Sequence, residues 1–204
     1  MSGNETIGIT GGIGAGKSVV ARVLRCNGFT VYDCDLKAKE LMSNNAQIKQ
    51  LLIETLGKDI YFDDGGLNRK KIASFIFQDK EKRVAVNKIV HKAVREDIIS
   101  ERSFNNGFFF IESAILATGG IDRMCDKIWL LEASKSDCLE RVAKRDKASC
   151  EEIERRMETQ KEEFNLLEPS KLIVMHNDDR HPLLSEILRN VNKFNITNRY
   201  TILC

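Results

Sequence analysis

Helix breakers and large aromatic side chains are scarce in this 204-residue sequence. It holds two prolines, one tryptophan and three tyrosines, and it has no internal repeat, low-complexity stretch or Pro/Gly-rich linker. A string of jointed modules is therefore excluded; the length suits one α/β core with a modest insertion. No apolar run approaches the ~18 residues that a membrane-spanning helix needs, and the N-terminus lacks a basic-then-apolar targeting pattern. The six cysteines (Cys26, Cys34, Cys125, Cys138, Cys150 and Cys204) form no CxxC pair and no metal-like spacing with the three histidines, so they read as reduced thiols. With few aromatics there is also no basic-aromatic stripe for nucleic acid. These absences predict a soluble cytoplasmic protein with neither nucleic acid nor membrane as partner; a monomer or small homo-oligomer is the expectation for its assembly, which the absences themselves do not set. Net charge is only +2, but Arg69–Arg95 carries nine Lys or Arg against Asp79 and Glu81. That run is either a receptor for an anionic substrate or a solvated helix face.

What is present is concentrated near the N-terminus. The apolar run Ile7–Thr10 has strand composition and leads into Gly11-Gly12-Ile13-Gly14-Ala15-Gly16-Lys17-Ser18. This fills the pattern Gly, four free positions, Gly, Lys, Ser/Thr of a phosphate-binding loop. Backbone N–H groups wrap a triphosphate closely only where Cβ atoms are missing. Lys17 then reaches the β- and γ-phosphates, the Ser18 hydroxyl is offered to Mg²⁺, and the next helix turns its positive end toward the anion. ATP and Mg²⁺ are the expected cofactors.

Helical spacing of Val19, Val20, Val23 and Leu24 runs to the stop signal Asn27-Gly28. Strands are predicted at Phe29–Tyr32, Phe108–Glu112, Ile128–Glu132 and Leu172–Met175, which with Ile7–Thr10 makes five. The second is expected to lie beside the first. Helix-patterned sequence separates them, so the predicted class is α/β with a P-loop NTPase fold, a five-stranded parallel sheet flanked by helices. The stretch between the second and third strands is too long for a simple crossover. It gives a nucleotide-binding core at 1–36 and 106–204, with a lid at about 135–165, and a helical acceptor-binding insertion at 37–105. Ser149-Cys150-Glu151-Glu152 matches a capping box that starts a polar helix ending near Phe164. Arg141 and Arg145 share one helix face, as do Arg156 and Gln160. Such arginines either neutralise a transferring phosphoryl group or lace a surface helix with ion pairs.

Asp33 stands at the carboxyl end of the second strand, where a carboxylate can align a hydroxyl nucleophile and take its proton; Asp35 suits the cap of the following helix better. A GTPase switch is the alternative from another functional class. It is disfavoured because Asn87-Lys88-Ile89-Val90 lacks the Asp of a guanine-reading motif, and Asp63-Asp64-Gly65-Gly66 falls inside the insertion. A second alternative is a P-loop kinase that acts on another small acceptor.

Taken in order, these elements resemble the dephospho-CoA kinase family from Ile7 to about Lys193. Ile9–Ser18 resembles the family's Thr-Gly-Gly-Ile-Gly-Ser-Gly-Lys-Ser, and Val31-Tyr32-Asp33-Cys34-Asp35 is similar to its Ile-Asp-Ala-Asp, whose first Asp is the base. Leu67-Asn68-Arg69, Phe77 and His91 match positions of its acceptor domain. Arg141, Arg145-Asp146, Ser149, Glu152, Arg156 and Gln160 match its lid, and Asn177 matches an Asn near its base pocket. The resemblance implies transfer of phosphate from ATP to the ribose 3′-hydroxyl of dephospho-coenzyme A, the last step of coenzyme A synthesis. It assigns Asp33, Lys17 and Arg141 to catalysis, and Gly11 to Val19, Arg145 and Asn177 to the nucleotide. Asp33, Arg69, Phe77 and His91 go to the acceptor. Ser18 and Glu112 go to Mg²⁺, with Glu112 open to the alternative of a buried structural carboxylate. The sequence departs from the family at Val19 in place of Thr, at Lys92 in place of the Pro after His91, and at Ala114–Thr118, which stands for Pro-Leu-Leu-Phe-Glu and lacks its acid.

Overall fold

A computed structural model of the chain describes residues 4–146, 148–178 and 182–195; Cys204 and the rest of the C-terminal tail lie outside them. The strands are β1 (Thr6–Gly11), β2 (Thr30–Asp33), β3 (Phe109–Glu112), β4 (Lys127–Glu132) and β5 (Leu172–His176). The helices are α1 (Lys17–Cys26), α2 (Cys34–Asn44), α3 (Ala46–Leu56), α4 (Arg69–Gln78), α5 (Lys80–Ser103), α6 (Lys135–Asp146), α7 (Cys150–Asn165) and α8 (Leu183–Asn195). Among the described residues no helix is long and apolar enough to cross a membrane.

The parallel sheet has the order β2-β3-β1-β4-β5, with Ile7 in register with Phe110 on one side and Lys127 on the other. β1 is buried at all six positions, as befits a central parallel strand covered on both faces. Ile7, Ile9, Phe110, Trp129 and Met175 pack with Val20 and Leu24 of α1 and Ile187 and Val191 of α8. Phe110 anchors this layer, its ring 5.3 Å from Trp129 and 5.4 Å, edge-on, from Phe29. On the opposite face a Cβ at Gly8 would lie 2.7 Å from Leu116 and 3.0 Å from the Cys125 sulfur, so glycine there admits the cover of the sheet.

Two compact units divide the chain at Tyr32/Asp33 and Glu101/Arg102, against the 36/37 and 105/106 boundaries expected from sequence. The first junction comes earlier because Asp33 already caps α2. The unit Asp33–Glu101 has its own core, in which Ile48, Leu52, Leu56 and Ile60 meet Ile72, Val86 and Ala93. Its helices begin on local sequence signals: Asp33, Asn45 and Asn68 each accept the amide hydrogen three residues on, from Leu36, Ile48 and Lys71. Asp63-Asp64-Gly65-Gly66 is a turn between the bridged residues Tyr61 and Leu67, and Asp64 accepts the Gly66 amide within it.

One topological expectation fails. β2 does not lie beside β1, because β3 occupies the position between them. The crossover through α1 skips a strand position, and the chain fills that gap only after the helices of the second unit.

The five described cysteines are free thiols, of which Cys26 and Cys150 are exposed. Burial pushes the Cys125 thiol up to about 12. At pH 8 its thiolate fraction is then roughly one in ten thousand. Iodoacetamide at that pH is expected to alkylate Cys26 and Cys150 in the folded protein and to spare Cys125 until denaturant is added. Peptide mapping by mass spectrometry checks this, and early modification of Cys125 would contradict its placement under Gly8.

Candidate active site

The end of β1 and the start of α1 are joined by a loop that leaves backbone donors exposed. Gly16, the residue before α1, is left-handed (φ 108°), and it offers no side chain to cap the helix. No acidic residue stands in the first turn of α1. Among the described residues the amides of Gly14, Gly16 and Ser18 have no hydrogen-bond acceptor, whereas that of Ala15 closes a turn on the Gly12 carbonyl at 3.1 Å. A helix N-terminus with free amides and no compensating carboxylate is an anion site. Lys17 supplies the full charge: its Nζ donates to the carbonyls of Gly11 (2.7 Å) and Gly12 (3.1 Å), across the mouth of the loop.

The glycines separate into two kinds. A Cβ on Gly14 would lie 2.8 Å from the Cys138 carbonyl, and its φ of 81° disfavours any other residue. Gly12, in contrast, would meet nothing within 4 Å, so the fold does not require glycine there. The bare backbone at Gly12 suits close approach by a ligand. The donor set as a whole fits a nucleoside triphosphate. The oxygen groups that could hold Mg²⁺ are the Ser18 hydroxyl, on an exposed first turn of α1, and the half-buried carboxylate of Glu112, which ends β3 in register with Ile9. No group of three or more His, Cys, Asp or Glu among the described residues could hold a metal unaided, so a cation here would draw on phosphate oxygens as well.

Helices α6 and α7 lie against this loop. Arg141 of α6 donates to the Gly14 carbonyl at 3.4 Å and to the Asn177 carbonyl at 3.3 Å. Arg145, one turn on, is taken up by Asp146, at 2.6 and 2.9 Å, and that pairing raises the guanidinium pKa and lowers that of the carboxyl. Asn177 follows β5 and donates its side-chain amide to the Ala15 carbonyl at 2.9 Å, so it buttresses the loop from behind. Val19 is exposed on α1. The capping box at α7 is only half made. Ser149 accepts the Glu152 amide at 3.2 Å, but the Glu152 carboxylate turns to Arg156 at 2.5 Å instead of reaching back. Its charge is better satisfied by a guanidinium one turn away than by a neutral amide.

Two α7 contacts were not legible as site features. Gln160, expected from sequence only to share a helix face with Arg156 and to match the family's lid, accepts the Ile13 amide at 2.8 Å. Glu163 is buried, and its carboxylate accepts the amides of Ala117 and, at 3.0 Å, Thr118. The only sequence signal was a polar pair three apart on the otherwise apolar stripe of Ile153, Met157 and Leu167. Beside them a cavity of about 750 Å³ opens between Gly12, Ile13, the end of β4 and the face of α7 that carries Met157 and Phe164.

In the unit Asp33–Glu101, the helix cap falls on the other aspartate from the one expected. Asp33, not Asp35, is the helix cap: its Oδ1 accepts the Leu36 amide at 2.9 Å, and Asp35 lies exposed in the first turn of α2. The chain turns from strand to helix at Asp33 itself, which leaves Asp33 the cap position. Its second carboxylate oxygen has no partner among the described residues. Arg69 opens α4 and is exposed; Phe77, on the same helix, is 91% exposed; His91 is half-buried on α5. Lys71 and Lys82 sit over the Phe75 ring at 5.4 and 4.9 Å.

Known proteins match this arrangement over most of the chain. The family model of dephospho-CoA kinase matches residues 5–182. A dephospho-CoA kinase of Porphyromonas gingivalis is 37% identical over 185 residues, covering 90% of this chain and 91% of that protein. Among solved structures, the Thermus thermophilus protein TT1252 superposes with a TM-score of 0.76 at 27% identity, covering 96% of this chain and 98% of that one. Dephospho-CoA kinase from Campylobacter jejuni has the same fold, with a TM-score of 0.67 at 20% identity over 95% of this chain and 98% of that one.

The two kinds of glycine predict two kinds of mutant. Gly14→Ala should lower the melting temperature, through about 1–3 kcal/mol of backbone strain in addition to the clash with Cys138. Gly12→Ala should melt like the parent yet bind ATP more weakly. Thermal melts alongside a nucleotide titration test this; unchanged ATP affinity in Gly12→Ala would show that no ligand uses the open face.

Proposed function

The chain belongs to the dephospho-CoA kinase family and is a kinase of the last step of coenzyme A synthesis, the phosphorylation of dephospho-CoA; on that premise we propose which groups do the chemistry. The donor is MgATP and the acceptor atom is the ribose 3′-hydroxyl. The observation that carries this reading is the loop Gly11–Ser18, with three free amides and Lys17 at the N-terminus of an uncapped helix.

The β- and γ-phosphates take the amides of Gly14, Gly16 and Ser18, and Lys17 leaves the Gly11 and Gly12 carbonyls for phosphate oxygens. Gly12, Ile13, Ala15 and Val19 line this nucleotide site, and Asn177 and Arg145 serve its base side. Mg²⁺, held by Ser18 and through Glu112, supplies neutralisation of charge on the transferring group when bound. Arg141 already reaches the loop and adds a second fixed positive charge. The unit Asp33–Glu101 receives dephospho-CoA through Arg69, Phe77 and His91, and the surplus of Lys and Arg in its segment Arg69–Arg95 suits an acceptor that carries a diphosphate.

Asp33 positions the 3′-oxygen. Its Oδ1 is tied to the Leu36 amide, which leaves Oδ2 to accept the hydroxyl hydrogen. As the 3′-oxygen bonds to the γ-phosphorus, the bond from that phosphorus to the bridging oxygen breaks. ADP departs and the proton passes to Asp33 and then to water. The protein works in the cytoplasm, where ATP is supplied, as a monomer or small homo-oligomer.

ADP formation from MgATP, with and without dephospho-CoA, tests the assignment. Strong acceptor-dependent turnover, with a product heavier by one phosphate and carrying it at the 3′ position, is expected. An absence of stimulation in protein that binds ATP would overturn it. Asp33→Asn isolates the proton acceptor, because Asn caps a helix as well as Asp does. It should fold normally and lower kcat about 10²–10⁴-fold, with a much smaller change in the KM for ATP. Near-parental turnover would remove Asp33 from the role.

A further inference from the structure

The Ile13 amide of the phosphate-binding loop is bonded to a side chain from elsewhere in the fold. The acceptor is Oε1 of Gln160, 2.8 Å away and 147 positions along the chain. An amide hydrogen bonds only to the oxygen of a carboxamide, so the contact also fixes which way the Gln160 side chain faces. α7, which carries Gln160, is itself held in place. Ile153 of α7 and Leu167 just beyond its end are buried, and the buried Glu163 carboxylate binds the amides of Ala117 and Thr118 in the loop after β3. Gln160 and Glu163 are three residues apart and share a helix face. One face of α7 thus grips the loops that leave two adjacent strands, β1 and β3. The grip at Glu163 is the firmer one, since a buried carboxylate that loses its donors is far more costly than a half-buried carboxamide that loses one.

The division of labour among the loop amides gives this grip its meaning. The amides of Gly14, Gly16 and Ser18 remain available, while Ile13 is tied away to α7. We propose that Gln160 is a positioning residue for the nucleotide: anchored through Glu163, α7 holds the Ile13 amide and so keeps the loop in the shape in which its remaining amides converge. Without that bond the loop spends part of its time in other shapes, and apparent nucleotide affinity falls by the fraction lost. The inference rests on the nucleotide half of the reading above and not on the acceptor.

Gln160→Leu tests it, since leucine fills much of the same volume and keeps the helix preference without the acceptor. ADP and ATP are titrated into the full chain with Mg²⁺ and no dephospho-CoA, so a failure here is distinct from a failure of the acceptor assignment. Expected is a rise in Kd of about five- to tenfold, equal for ADP and ATP. The melting temperature should stay close to parental, and kcat at saturating ATP within about twofold. Unchanged affinity for both nucleotides would reduce Gln160 to packing. A loss for ATP alone would make it a direct γ-phosphate contact, and tighter binding of both would make it a competitor for the Ile13 amide. Each of these results overturns the positioning role. Should Gln160→Leu melt early, Gln160→Met, unbranched and more adaptable, provides the same comparison.

Discussion

Peptide N–H groups that the fold leaves without acceptors are the constraint on which the rest of this structure depends. A strand buried at every position must give way, within a few residues, to a helix whose first turn stays uncapped. Each free donor would be destabilising if it were shut away from water. The loop is therefore kept open on its ligand side and packed tightly on its others, against the Cys138 carbonyl at Gly14 and the Asn177 side chain at Gly16. Lys17 lies back on two carbonyls of the same loop, a site of opposite polarity that it can leave for phosphate. Binding then replaces one set of polar partners with another, with no bare charge created on the way.

Electrostatics around the loop follow two regimes. The arginine and lysine pairs of α6 and α7, such as Arg156 with Glu152 and Lys135 with Glu154, are exposed, screened by solvent and weak as structural glue. Their value lies in keeping positive charge near a site for anions without fixing it there. Glu163 belongs to the other regime: it is buried and bound by backbone amides, and it holds α7 where the surface pairs cannot.

Much of this was legible in the residues. The strands begin and end within about two residues of where alternation between apolar runs and glycine breaks put them, because β1, β3 and β4 are continuous apolar segments with little ambiguity of period. The phosphate-binding loop was legible because its chemistry is local: the glycines, Lys17 and Ser18 act within one turn. Strand order was not, since nothing within Phe29–Tyr32 records that β3 will come between it and β1. The cap at Asp33 was missed for a smaller reason. With two aspartates separated by one residue, only the backbone conformation decides which is the last extended residue. Gln160 and Glu163 stayed hidden because both act on amides far away in sequence, and an amide leaves no mark in the identity of the residue that carries it.

The placement of β3 between β1 and β2 also bears on how the chain acquires its structure. Among the described residues β2 has its sheet neighbour only in β3, and almost the whole of Asp33–Glu101 separates the two in sequence. A nascent chain that has emerged as far as α4 therefore contains β1 and β2 but cannot yet join them. The entropy of closing so long a loop would make that joining slow if the intervening residues were a coil. They have a core of their own, built on Leu52, Ile60 and Val86, and once that core has condensed the ends of β2 and β3 are tethered by a folded body instead of a free chain. The segment inserted into the nucleotide-binding sheet thus becomes the splint on which the sheet is completed.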